Sequence, residues 1–225
     1  MKHIGLLLRM PPAFLAIAFS MTSFAAGIDT AAISEQDLQA KIQYCQTCHG
    51  PSGQGYKGFL PMPRLAGQTT QYIDSQLLAF IKSRRDKYVP GDKGISVDIP
   101  KVHDLSPAMR SALAAHFTSL DPEPIGDGPK DLVATGKTIY AEGVPETNVA
   151  ACSGCHGPEA KGKDEIPRLA GQLYSYTEKE LTDWSKVRGQ HPTKDGAAAA
   201  MTPVAHSLSA PQIAAVAAYL SYLKK

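Results

Sequence analysis

Two short strings constrain this chain more than anything else in it: YCQTCHG at residues 44–50 and ACSGCHG at 151–157. They hold all four cysteines, as the pairs Cys45/Cys48 and Cys152/Cys155, and a histidine follows each pair at once, His49 and His156. The surrounding text repeats too. PRLAGQ at 63–68 returns at 167–172, and HDLSPAMRSALAAHF (103–117) returns as HSLSAPQIAAVAAYL (206–220). The copies are offset by 107 residues at the cysteines, 104 at PRLAGQ and 103 at the H-x-L-S block, drifts that read as short loop insertions in the first copy. A long period with its register kept means two homologous domains rather than one. DPEPIGDGPK (121–130), rich in proline and glycine, reads as an extended linker. The division is then a leader at 1–25, a first domain at 26–120, the linker, and a second domain at 131–225.

Each half reads as helical, with little strand signal. Ser34 ahead of Asp37 has the form of a capping box for a helix running to about Tyr44, just short of the first cysteine. Leu77, Leu78 and Ile81 lie at helical spacing in the first half, and Leu181, Trp184 and Val187 do so in the second. Ser106-Pro107 and Ser209-Ala210-Pro211 are cap and first-turn signals for a closing helix in each half. GAAAAMTP (196–203), ahead of the second closing helix, reads as a loop. Domains this small gain too little from apolar burial alone. Something else must fill each core.

The first residues bear on location. Lys2 and Arg9 precede an apolar run, AFLAIAFSMTSFAA, in which Ser23 and Ala25 fit the small-x-small pattern of a secretory cleavage site. The run is about 14 residues against the roughly 20 that a membrane span needs, so the expectation is export and a mature chain beginning near Ala26. Removing Lys2 and Arg9 lowers the Lys and Arg count from 23 to 21, against 21 Asp and Glu. A formally neutral chain gives no reason to expect a nucleic-acid partner. KSRRDK (82–87) and KGKDE (161–165) read as solvated faces.

Four cysteines in an exported chain could form two disulfides, in three connectivities, but that leaves both histidines unexplained. With seven histidines in 225 residues, chance would place one behind each pair on the order of once in a thousand. Zinc would need a further ligand set that neither half repeats. C-x-x-C-H is the attachment string of c-type haem. Two thiols add across two vinyl groups, and the adjacent imidazole meets one face of the iron. The expectation is two covalently bound haem c groups, one on Cys45, Cys48 and His49, the other on Cys152, Cys155 and His156, each filling the core that its domain lacks. Met201, 45 residues after His156, is the candidate for the second iron's other face, since His/Met is a standard pair.

The doubled C-x-x-C-H-G strings, the PRLAGQ blocks and M-T-P-x-A-x-x-L-S ahead of an AAYL helix resemble the dihaem cytochrome c4 family over essentially the whole mature chain. The resemblance implies an all-α fold of two tandem class I cytochrome c domains about a pseudo-twofold axis, with the haem propionate edges near each other. It implies a periplasmic one-electron carrier between redox partners, a donor dehydrogenase or bc-type complex and an acceptor oxidase or reductase. A loose association with the membrane surface is compatible with it. It also implies that the carbonyls of Pro63 and Pro167 receive the second ring nitrogen of each histidine, and that Arg64 and Arg168 pair with propionates.

The first half departs from that pattern. Asp98 stands in the register of Met201. Met62 precedes the proline on the proximal side, and Met109 falls in the first turn of the closing helix. His103 is the first choice for the open position, although His206 occupies the same place beside Met201. Tyr88, Lys93, Lys101 and an open iron are the alternatives. The choice selects between functions. A thioether raises the potential and a second imidazole lowers it, so ligation by His103 makes a potential-graded wire. An open first iron admits a haem enzyme acting on peroxide or a sulfur compound, with Asp98 or His103 as the acid–base group. A third reading is a cytochrome subunit docked on a dehydrogenase or oxidase. No further catalytic constellation is visible, which favours the electron carrier.

Overall fold

The computed structural model describes residues 33–58, 60–81, 103–184 and 197–224. The leader, KSRRDK, Tyr88, Lys93, Asp98, Lys101, Val187 and His191 lie outside them. In the first half the described helices are α1 (Glu35–His49), α2 (Thr70–Ile81) and α3 (Pro107–Ser119). Ser34 Oγ accepts the Asp37 N–H at 3.0 Å and donates to the Asp37 carboxylate at 2.6 Å, so α1 begins at the cap read from the sequence. Its end differs from the expectation. Instead of stopping near Tyr44, α1 runs on through Cys45, Cys48 and His49 to Gly50, whose φ of 82° ends it. Nothing in YCQTCH breaks a helix, and the first helix-stopping residue is that glycine.

The second half interrupts the same stretch. α4 (Val133–Glu142) ends at Gly143 with φ 78°, and a bridge pairs Val144 with Val149. Only then does a short α5 (Ser153–His156) carry the second string. The half is completed by α6 (Tyr174–Thr182), α7 (Ala197–Ser207) and α8 (Ala210–Tyr222). α7 overturns the expectation of a loop at GAAAAMTP. Alanine is the strongest helix former, and four in a row outweigh Pro203, which sits inside α7 and removes one bond to the Ala199 carbonyl.

Both closing helices start where their caps predict. Ser106 Oγ accepts the Met109 N–H at 3.2 Å, and Ser209 forms a capping box with Gln212. The first core gathers Ile42, Ile73, Leu113 and Phe117 around the buried Met109. The larger second core sets Ile139 and Tyr140 of α4 against Ile213, Val216 and Leu220 of α8. No β-strand occurs among the described residues, only isolated bridges. The bridge Tyr56–Met62 encloses residues 57–61, whereas its counterpart Lys163–Ile166 encloses 164–165, which absorbs the drift in repeat offset from 107 to 104.

The linker is extended, as its composition predicts, but it is fastened to the second half. Tyr222 Oη donates to the Gly128 carbonyl at 2.7 Å, the Gly128 N–H donates to Ser221 Oγ at 3.2 Å, and Asp127 Oδ1 accepts the Tyr174 N–H at 2.8 Å. No described helix is long and apolar enough to cross a membrane.

Candidate haem-binding sites

On α1, Cys45, Cys48 and His49 fall at i, i+3 and i+4 and therefore share a face. After each string the chain folds back in the same way. The Gly53 carbonyl accepts the N–H groups of Leu65 and Ala66 at 2.9 and 3.0 Å, and the Gly55 N–H donates to the His49 carbonyl at 2.8 Å. In the second copy the Ala160 carbonyl accepts from Leu169 and Ala170 at 2.8 and 3.0 Å, and the Gly162 N–H donates to the His156 carbonyl at 3.0 Å. Gly162 has φ 70°, and a Cβ there would sit 2.3 Å from the Ile166 oxygen, so only glycine allows the return.

That return brings the proline of each PRLAGQ block onto the histidine. His49 Nδ1–H donates to the Pro63 carbonyl at 2.8 Å, and His156 Nδ1–H donates to the Pro167 carbonyl at 2.9 Å. A proton on Nδ1 leaves the lone pair on Nε2. Burial holds the His156 imidazole below its ordinary pKa, partly offset by the Pro167 bond, so the ring is neutral. Burial pushes the Cys45 and Cys152 thiols up, while Cys48 and Cys155 are exposed. All four thiols are free, so the disulfide alternative is not realised here.

Tyr140 braces the second string from behind. Its hydroxyl donates to the Gly157 carbonyl at 2.5 Å, and burial raises its pKa, which keeps it a donor. Tyr140→Phe leaves that carbonyl with the Ala160 N–H alone, at 3.1 Å, and is expected to cost about 0.5–1.5 kcal/mol in urea unfolding. An unchanged midpoint would show that the bond contributes nothing.

The donor set in each half, two free thiols and an imidazole oriented through Nδ1, fits a haem c. Two buried cations add to the fit. Arg64 and Arg168 are 3% and 7% exposed. Arg64 donates to the carbonyls of Ala66 (3.0 Å) and Pro122 (2.8 Å), with the Asp121 carboxylate 3.7 Å away. Arg168 donates to the Ala170 carbonyl at 3.1 Å, and no carboxylate among the described residues pairs with it. Burial, and next the charge of Arg168, bring the Arg64 guanidinium down to about 10. Like charges buried close together need anions, and propionates are anions. Ser175 Oγ and Thr177 Oγ1 on α6 are also buried with no hydrogen-bond partner among the described residues, as polar atoms beside a missing group would be.

The two halves meet at the PRLAGQ blocks. Gln172 Oε1 accepts the Arg64 N–H at 2.8 Å while its Nε2 donates to the Arg64 carbonyl at 3.2 Å. Gln68 does the same for Arg168, at 2.6 and 3.0 Å. Thr69 Oγ–H donates to the Asp164 backbone carbonyl, while the side chains of Lys161, Lys163, Asp164 and Glu165 are exposed, so KGKDE is the solvated face read from the sequence and touches the first half only through its backbone. Sequence reading assigned neither glutamine a role, although both close a repeated block.

The other ligand candidates are placed as follows. Met201 is half-buried on α7, beside Thr202, whose Oγ1 accepts the Trp184 Nε1–H at 3.2 Å. His103 is half-buried with its ring stacked on Phe80, centroids 4.4 Å apart and planes at 16°. Phe80 is the register counterpart of Trp184, and His206 is exposed on α7. The Met109 N–H is spent on its cap and its side chain lies in the first core.

The family model for cytochrome c matches this chain twice, at residues 21–121 and 133–224. A cytochrome c4 of Azotobacter vinelandii is 34% identical over 189 residues, 82% of this chain and 87% of that protein. The chain belongs to the cytochrome c4 family. Its fold matches the structure of a cytochrome c4 from Acidithiobacillus ferrooxidans with a TM-score of 0.65 at 33% identity, covering 80% of this chain and 99% of that one. A thiosulfate dehydrogenase electron acceptor of Thiomonas intermedia is 33% identical over 145 residues, 62% of each protein. As a member of the c4 family, the chain is a dihaem electron carrier, with two tandem cytochrome c domains and two covalently bound haem c groups.

Proposed function

We propose that residues 26–120 and 131–225 are the two haem domains of a periplasmic carrier whose irons differ in potential. Cys45 and Cys48 hold one haem and Cys152 and Cys155 the other. His49 and His156 bind iron through Nε2, and Pro63 and Pro167 fix the ring planes through Nδ1. The observation that carries this reading is the matched pair of imidazole–carbonyl bonds, 2.8 and 2.9 Å, each beside a free C-x-x-C pair. When bound, haem c supplies a one-electron iron couple. The protein's part is to orient the imidazole, enclose the ring and set the sixth ligand.

Met201 takes the sixth position of the second iron and His103 that of the first. Arg64 and Arg168 receive propionates. A thioether from Met201 would raise the potential of a haem held in the second half and an imidazole from His103 would lower that of one held in the first, so the second half would be the electron-accepting end. The leader at 1–25 directs the chain to the periplasm, where its partners are a donor dehydrogenase or bc-type complex and an acceptor oxidase or reductase. The relative described as a thiosulfate dehydrogenase electron acceptor supports a role as acceptor rather than as enzyme.

The test is electron paramagnetic resonance of the oxidised protein, with carbon monoxide added after reduction, on wild type and His103→Ala. The expected result is one His/Met signal and one bis-imidazole signal, the latter lost in the variant. A first haem that is high-spin or binds carbon monoxide in the wild type would overturn the wire and favour turnover at an open iron.

A further inference from the structure

The imidazole bond and the interdomain bond use the same peptide group. The Pro63–Arg64 peptide accepts His49 Nδ1–H on its oxygen at 2.8 Å and donates its N–H to Gln172 Oε1 at 2.8 Å. The Pro167–Arg168 peptide accepts His156 Nδ1–H at 2.9 Å and donates to Gln68 Oε1 at 2.6 Å. Each glutamine belongs to the half opposite the histidine at the far end of its chain of bonds. Gln68 and Gln172 are 5% and 7% exposed, so these chains run through a dry interface.

Hydrogen bonds in series polarise one another, most of all where water is excluded. A peptide whose N–H donates to an amide oxygen carries more negative charge on its carbonyl. It is then a stronger acceptor for the imidazole N–H, and the imidazole becomes a more basic ligand. A more basic ligand favours ferric over ferrous iron and lowers the potential.

We propose that Gln172 and Gln68 are crosswise positioning residues, each setting the basicity of the iron-binding histidine in the opposite half through one shared peptide. The proposal rests on His49 and His156 being the ligands. Only an amide suits the position: its oxygen takes the Arg N–H while its nitrogen serves the Arg carbonyl, at 3.2 Å for Gln172 and 3.0 Å for Gln68. Each oxygen also accepts the N–H at the start of the following helix in its own half, Leu173 at 3.0 Å and Thr69 at 3.1 Å. Any displacement of that helix start would therefore reach the other half's histidine.

The test uses the full haem-loaded protein and the variants Gln172→Met and Gln68→Met, which keep volume and lose the hydrogen bonds. Potentials of the two haems are read by spectroelectrochemical titration, and the histidine Nδ1 protons by paramagnetic NMR of the ferric protein. Gln172→Met is expected to raise the potential of the haem on His49 and move its Nδ1 proton, leaving the haem on His156 where it was. Gln68→Met should give the mirror image. Gln172→Glu keeps the acceptor with added charge and should leave the His49 haem at or below its wild-type potential. A local packing effect would appear in the half that carries the substitution, because Leu173 and Thr69 lie there, and that pattern would overturn the proposal. So would two unmoved potentials with both haems attached. Failure to find a histidine Nδ1 proton on either haem of the wild type would instead overturn the ligand assignment beneath it.

Discussion

Gly136→Ala is expected to destabilise the second half by about 3 kcal/mol or more. Gly136 lies where α4 crosses α8, and a Cβ there would stand 1.9 Å from the Ala215 oxygen, 2.6 Å from its carbonyl carbon and 2.8 Å from Tyr219 Cβ. Two of those three atoms are backbone inside a helix, so they cannot rotate away. The helices would have to separate, opening the packing of Ile139 and Tyr140 on Ile213 and Val216. Alanine is the better helix former by about 1 kcal/mol, which is too little to offset that loss. Trp184, the one tryptophan, belongs to the second half, so its fluorescence in a urea titration reports on that half. A midpoint equal to wild type or above it would mean that the helices do not cross as closely as described.

What the sequence revealed of this architecture was local or covalent. Ser34, Ser106 and Ser209 were legible because a cap is written in four consecutive residues. C-x-x-C-H was legible because thioether attachment dictates the spacing. The boundaries that went astray did so for local reasons too. α1 passes through the cysteines because nothing before Gly50 opposes it, whereas Gly143 stops α4 well short of Cys152. Four alanines make α7 a helix despite Pro203, a balance of propensities that the eye weighs badly in a short segment.

The contacts between halves were not legible. Gln68 and Gln172 bond to residues about a hundred positions away, and their role depends on two copies of one block meeting face to face. A repeated PRLAGQ shows that the block matters without showing that it pairs with itself. Trp184 was read as one of three apolar positions on a helix. It is helical, but it lies past the end of α6, and its indole also hydrogen-bonds Thr202, fastening the segment beside Met201. Phe80 at the equivalent place has no donor and carries the His103 ring on its face. The two halves thus support their sixth-ligand candidates by different means, an indole hydrogen bond in one and aromatic stacking in the other.

That difference makes Met201→Ala the sharpest test of the second iron. Met201 is half-buried on an alanine-rich helix, and alanine keeps the helix propensity of the position, so α7 and the Trp184–Thr202 bond should survive. Any large change is then a change of ligand rather than of fold. The ferric variant should lose the long-wavelength thioether-to-iron absorption. The reduced variant should bind carbon monoxide at the second haem only. The potential of that haem should fall by a substantial part of the about 0.8 V range that axial ligands span. On the proposed ligand set, lowering the second haem would flatten or reverse the gradient between the halves, and electrons should then distribute between both halves. Retention of the absorption band without carbon monoxide binding would mean that Met201 is only a helix residue of α7 and that the thioether comes from another methionine, Met62 or Met109.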